Sequence, residues 1–213
     1  TGPTNVRGSD MFGRRRPDGP EFAPRPERPR VPPHQTVTTT FPTLTAERVP
    51  SVDVNSLTLR FWGEVQGPAE MTWQQLMAVK HTTVAADFHC VTGFSMLGTE
   101  WGGARVADVL EAADVHLSPS ARFVMVHCVT EFTTNLPVQD LLADDTMLVW
   151  EWNRLPLTTA HGGPLRLLVP SLYAWKDAKW VSGFEFLPED RPGFWESRGY
   201  HMHGDPWKEE RYG

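Results

Sequence analysis

The sequence predicts a mixed α+β domain in which strands outnumber helices. Three observations carry that expectation. Six stretches, residues 57–65, 81–88, 121–129, 146–152, 165–170 and 180–187, have strand-like apolar patterning. Two short stretches, 73–77 and 104–113, have helical spacing instead. The two kinds do not alternate as regular βαβ units, which argues against a doubly wound parallel sheet.

Taken in order, residues 1–50 read as an arm and residues 51–213 as the folded domain. Ten of the 19 prolines fall in the first 50 residues, and residues 11–33 mix Arg, Pro and Glu with almost no apolar content. Such a stretch buries too little to offset its ordering entropy, so an extended or disordered arm is expected. Met11 reads as a natural start. The run Arg14-Arg15-Arg16 is read as a solvated tail, with an anion or partner patch as its alternative. Residues 36–50 are less polar and are expected to lie across the domain. Residues 57–65 alternate apolar and polar, as a half-buried strand does, and Gly67-Pro68 ends the run. Thr72-Trp73-Gln74-Gln75 has capping-box spacing, with Trp73, Leu76 and Met77 on one face of the helix it opens. Residues 81–88 run as a strand straight into Cys90. Val106, Val109, Leu110 and Ala113 mark a second helix, and residues 121–129, 146–152, 165–170 and 180–187 complete the strands. Phe132-Thr133-Thr134-Asn135 reads as a loop.

Composition narrows the function classes. A chain of 213 residues can bury a sizeable core. Its net charge of −6 does not fit nucleic-acid binding. It has no apolar run of membrane-spanning length, and its N-terminal stretch does not read as a secretory signal, because its arginines are followed by prolines. Cys90 and Cys128 are therefore expected as reduced thiols in a cytoplasmic protein.

Cys90 is the most informative residue. It lies in Asp87-Phe88-His89-Cys90-Val91-Thr92-Gly93-Phe94-Ser95. A thiolate holds a soft metal centre or attacks an electrophile, and a free cysteine also serves as a small core residue. A zinc site with His89 fits poorly, because adjacent residues share a tetrahedral site badly and no second ligand pair follows. A nucleophile with His161 or His127 as base stays open, as does a buried structural thiol. The second informative stretch is His161-Gly162-Gly163-Pro164-Leu165-Arg166, followed by Tyr173-Ala174-Trp175-Lys176-Asp177-Ala178-Lys179-Trp180. Its glycines admit close backbone approach, and Arg166, Lys176 and Lys179 put three cations beside aromatic faces. That set suits a flat phosphorylated heterocycle, and equally a strand with snorkelling basic residues.

These two stretches, with Trp101-Gly102-Gly103 and the C-terminal Pro192-Gly193-Phe194-Trp195-Glu196, Gly199-Tyr200-His201 and Gly204-Asp205-Pro206-Trp207, resemble the sulfite-oxidase family of molybdopterin-dependent oxidoreductases. The resemblance covers residues 57–213 and is strongest for small stand-alone bacterial members. It implies a strand-rich α+β molybdopterin-binding fold and a molybdenum–molybdopterin cofactor. It makes Cys90 the one protein ligand of molybdenum, which suits a soft thiolate on a metal already bound by sulfur. It places Phe88 and His89 beside the cofactor and makes His161 a polar pterin contact. Arg166 takes the place of the family's phosphate- or pterin-binding arginine and Lys179 that of its binding lysine, with backbone help from Asp177 and Ala178. Lys176 is carried as a weaker contact. Cys128 corresponds to a strand end that touches the pterin, and a core thiol there is the alternative.

The departures from the family bear on substrate. Val91-Thr92-Gly93-Phe94-Ser95 stands where animal and plant sulfite oxidases have an arginine-containing anion pocket, and Thr92 stands where the methionine-sulfoxide reductase branch has an acid. The resemblance therefore implies oxygen-atom transfer to or from a small substrate without naming it. Trp101 and Tyr173 are candidates to line the pocket. With no CxxCH and no cysteine set for an iron–sulfur cluster, electrons are expected to pass to a separate carrier. The oligomeric state is left open. A non-catalytic cofactor carrier and a metal-free cysteine hydrolase are the competing readings. The aromatic tail with Trp195, Tyr200, His201, His203 and Trp207 is expected to pack on the domain, with a cap over the site as its alternative.

Overall fold

The computed structural model describes residues 28–213, so the expectations placed on Met11 and on Arg14-Arg15-Arg16 lie outside the described residues. The strands are β1 (Thr36–Val37), β2 (Thr58–Gly63), β3 (Ala69–Thr72), β4 (Thr82–His89), β5 (Phe94–Arg105), β6 (Phe123–Cys128), β7 (Thr133–Pro137), β8 (Met147–Trp152), β9 (Leu155–Pro156), β10 (Arg166–Leu168) and β11 (Val181–Leu187). The helices are short: α1 (Trp73–Ala78), α2 (Val106–Ala112) and α3 (Val138–Leu141). This is the strand-rich α+β architecture that the patterning predicts.

Among the described residues the strands form two sheets. In one the order is β1-β5-β8-β10, with β4 also on β5 and β9 also on β8. In the other it is β3-β2-β11-β6-β7. Leu59, Phe61, Val124, Val126, Phe184 and Phe186 from the second sheet share one core with Ala104, Leu148 and Leu167 from the first. The first sheet is apolar on its other face too. There Phe88, Met96, Trp101, Met147, Val149 and Leu168 form a second cluster, which includes Cys90 and takes Phe41 against it. Because strand side chains alternate, β10 sends Leu167 to the first core and Arg166 and Leu168 to the other face. That parity puts a buried arginine on the same side as Cys90.

Three local readings are corrected. Residues 94–105 form the longest strand and take in Ala104 and Arg105, so α2 starts at Val106. The strand carries Gly98, Gly102 and Gly103, which erase its period-2 pattern. At Gly103 a Cβ would lie 2.0 Å from the Leu148 carbonyl oxygen, so the backbone approach itself requires glycine. Residues 133–137 are the edge strand β7 rather than a loop, and Thr134 and Asn135 are buried by the C-terminal tail. Met77 is exposed, leaving Leu76 as the buried residue of α1.

Ahead of the sheets, Thr36–Val37 pairs in parallel with Phe94–Ser95. Phe41 then packs edge-on against Phe88 and Trp101. This segment and the tail approach the same region of the first sheet from opposite ends of the chain.

Candidate functional site

β4 and β5 are joined by the turn Cys90-Val91-Thr92-Gly93. The Cys90 amide donates to the Phe94 carbonyl at 2.9 Å and the Gly93 amide to the Cys90 carbonyl at 3.0 Å. Gly93 has φ +99°, which a side chain would strain. Gln35 Nε2 donates to the Cys90 carbonyl at 3.2 Å and so ties the N-terminal segment to the turn. The turn presents the buried Cys90 thiol to a cavity of about 310 Å³. Alternation along β4 sends Phe88 into the cavity wall and His89 to the opposite side. There His89 Nδ1 bonds Ser95 Oγ at 2.8 Å and the ring meets Trp207 edge-on. Burial lowers the His89 pKa to about 4, so the ring is neutral at pH 7.

Two cations face the same cavity. Arg166 on β10 forms an antiparallel backbone bridge with Lys179, so the two side chains start from adjacent positions. Arg166 is 2% exposed and donates from Nη1 to the His161 carbonyl at 2.8 Å, while its buried Nε has no partner. Its guanidinium lies over Phe88 at 5.1 Å and Phe41 at 5.7 Å. Burial lowers its pKa, opposed by the charges of Asp177 and Cys90. Lys179 Nζ donates to the carbonyls of Leu44 and Ala160, both at 2.7 Å. Burial, assisted by Arg166, lowers its pKa to about 7. Asp177 accepts from the Val169 amide at 2.7 Å, and burial raises its pKa to about 7 against the pull of Arg166. Gly162, with φ +108°, closes the turn before β10, and a Cβ there would meet Lys179 Cγ at 2.9 Å.

Phe88, Cys90, Arg166, Asp177, Ala178 and Lys179 therefore come together on one cavity wall. The amides of Asp177 and Ala178 are spent inside their own turn, on the carbonyls of Ala174 and Lys176. His161 stands behind Phe41, stacked on it at 4.2 Å, with Nε2 on the Phe41 carbonyl at 3.0 Å and Nδ1 on Thr158 Oγ1 at 2.9 Å. Burial, with help from Lys179 and Arg166, lowers its pKa. Lys176 is not on the wall. Its ammonium is fully buried on Glu196 Oε1, the Asn135 oxygens and the Met202 carbonyl, and so fastens the tail to β7. Cys128 closes β6 inside the larger core, where burial pushes its thiol pKa up. Trp101 and Tyr173 are buried core aromatics away from the wall.

The competing readings of Cys90 lose their partners. His127 is engaged by Glu185 at 2.9 Å, and both His161 nitrogens are bonded elsewhere, so neither ring is set as a base for the thiol. Among the described residues no group of three or more His, Cys, Asp or Glu is arranged to hold a metal ion, which removes the zinc site with His89. Sequence reasoning expected residues 36–50 to lie across the domain but did not assign them to the site. Phe41, Pro42, Leu44, Thr45, Ala46 and Glu47 cover the cavity from the N-terminal side. The legible signal was the apolar content of residues 41–46 after a polar, proline-rich stretch. From the other end, Trp195 and Tyr200 of the tail close the wall.

The two packed sheets thus bring one thiol and two cations to a single cavity wall. The chain matches the family described as Oxidoreductase molybdopterin binding domain over residues 46–195. It is 44% identical to the uncharacterized oxidoreductase YuiH of Bacillus subtilis (strain 168), across 86% of this chain and 92% of that one. It is 27% identical to the sulfite oxidase of Arabidopsis thaliana, across 72% of this chain and 48% of that one. The sulfane dehydrogenase SoxCD of Paracoccus pantotrophus shares the fold, with TM-score 0.58 and 20% identity over 66% of this chain and 40% of that one. The chain belongs to the sulfite-oxidase-like molybdopterin-binding oxidoreductases. It is a molybdopterin-dependent oxidoreductase, and its cofactor is molybdenum–molybdopterin.

Proposed function

We propose that Cys90 is the protein ligand of molybdenum, and that the enzyme transfers an oxygen atom to or from a small substrate. The observation that carries this reading is one cavity wall with a thiol beside a buried arginine and a half-buried lysine that have no carboxylate within ion-pair distance among the described residues. A phosphorylated pterin supplies what that wall lacks, an anion for Arg166 and Lys179 and a sulfur-bound metal for the thiolate. When bound, the cofactor supplies two-electron oxygen-atom transfer. The chain supplies the rest. Arg166 Nε, which has no partner within the described residues, would donate to a phosphate or pterin acceptor, and its guanidinium packs against both Phe88 and Phe41. Lys179, with its pKa near 7, gains its proton fully when an anion arrives. Phe41, Trp175, Trp195 and Tyr200 give the cavity an aromatic lining that would restrict water near the sulfur once the cofactor fills it. Electrons pass to a separate carrier. The two free thiols suit the reducing cytoplasm, where we place the protein. Among the described residues no helix is long and apolar enough to cross a membrane.

The test is metal analysis, with fluorescence of the oxidised pterin, on protein made in a molybdenum-replete, cofactor-competent host. We expect near-stoichiometric molybdenum and pterin in the wild type, and loss of metal in Cys90→Ser. Arg166→Ala and Lys179→Ala are expected to lower pterin retention. Full pterin occupancy in both would remove the anion-site assignment, and wild type lacking metal and pterin would sink the whole reading.

A further inference from the structure

The turn after β4 sets a second group against the sulfur. Thr92 Oγ1 donates to Cys90 Sγ at 3.2 Å, the one hydrogen bond to that sulfur among the described residues. No other side chain on the wall makes a hydrogen bond to it among the described residues. Phe88, Val91 and Phe94 are apolar, Arg166 Nη1 is turned to the His161 carbonyl, and Lys179 Nζ to those of Leu44 and Ala160. The hydroxyl's position follows from the turn, which is closed by the Cys90–Phe94 and Gly93–Cys90 hydrogen bonds, pinned from outside by Gln35, and reversed at Gly93.

We propose that Thr92 is a positioning residue that tunes the metal through Cys90, an inference that rests on Cys90 being the ligand. A thiolate that accepts a hydrogen bond draws charge toward its donor and gives less to its metal. The bound metal is then easier to reduce, as hydrogen bonds to ligand sulfur do in other thiolate sites. Threonine suits this place for two reasons. Its hydroxyl donates without introducing charge beside Arg166 and Lys179, and its β-branch restricts χ1.

The test compares wild type, Thr92→Val and Thr92→Ser from a cofactor-competent host, by sulfur-to-metal charge-transfer absorption and by the midpoint potential of the metal. Valine keeps the shape and removes the donor, whereas serine keeps the donor. Expected is a shift of the absorption to lower energy and of the potential to more negative values in Thr92→Val, with Thr92→Ser staying at wild type. A Thr92→Val protein loaded like wild type, with unchanged absorption and potential, overturns the inference and leaves Cys90 as ligand intact. So does a serine variant that shifts as far as valine. If Thr92→Val fails to load, Thr92→Ala is read in its place. Loss of metal in both, with serine loaded, assigns the hydroxyl to metal retention and also overturns the tuning role. Wild type that binds neither metal nor pterin fails at the earlier step and removes both readings.

Discussion

Lys176 and Arg166 show how two cations ten positions apart in one basic stretch receive opposite tasks. Both are buried, but Lys176 meets a carboxylate and three further oxygens, whereas Arg166 lines the cavity and keeps a buried Nε donor without a partner. The residue types alone were equivalent evidence for anion binding, and only the partners separate them. Lys176→Met strands Glu196 as a buried charge and is expected to cost about 3–5 kcal/mol in denaturant unfolding. The double variant Lys176→Met/Glu196→Gln removes that charge while leaving an acceptor for Trp175 Nε1 and Thr134 Oγ1. It is expected to be less destabilised than Lys176→Met alone. A double variant at least as unstable as the single would show that the Asn135 and Met202 contacts, rather than the ion pair, hold the tail.

At the level of elements, legibility followed local chemistry. The capping box at Thr72 was plain in the sequence because its reciprocal bonds span three residues, with the Thr72 amide on Gln75 Oε1 at 2.8 Å and the Gln75 amide on Thr72 Oγ1 at 3.3 Å. Thr72→Ala is expected to cost about 1 kcal/mol in thermal unfolding. β5 was hidden because its glycines answer to β8 rather than to their own neighbours. At Gly103 the obstacle to a side chain is the Leu148 carbonyl, so Gly103→Ala must push two strands apart. It is expected to cost about 1–3 kcal/mol or more, above Thr72→Ala in the same assay. Equal losses would show that the β5–β8 crossing yields easily. β7 was missed for a related reason, since its polar Thr134 and Asn135 are buried only once the tail supplies Glu196 and Met202.

Across the whole molecule, the N-terminal segment and the C-terminal tail are strapped over the first sheet and together close the cavity. The tail's outer fastening is ionisable. His203 Nε2 bonds Asp140 at 3.0 Å and its Nδ1 bonds Glu210 at 3.0 Å. The bond to Asp140, assisted by Glu210 and opposed by burial, raises the His203 pKa above 6.5. Its contribution to stability is therefore complete below pH 6.5 and is lost as pH rises through the raised value. Burial pushes the Glu210 pKa up, but the Asp205 amide, His203 and His201 together bring it below 4.5. That contribution is present above pH 4.5 and is lost as pH falls through the lowered value. The fastening is at full strength between those limits. Melting temperatures of wild type and His203→Asn, compared from about pH 5 to about pH 9, are expected to differ most near the acidic end and to converge as pH rises. A difference independent of pH would assign His203 a packing role alone.

The alternation of single strands, short-range capping, and the local make-up of the Cys90 stretch and of the basic, glycine-bearing stretch were all readable in the chain, because each depends on neighbours within a few residues. So was the family, through motifs set far apart but in the expected order. What sits on the cavity wall was decided only by folding. Arg166 and Lys179 meet across a backbone bridge, Phe41 to Glu47 arrive from the N-terminal side, Trp195 and Tyr200 from the tail, while Lys176, His89 and Cys128 are turned away. The reason is physical. A side chain's partners in a two-sheet core come from distant strands, and burial without a partner, as at Arg166 Nε, exists only once those strands have packed.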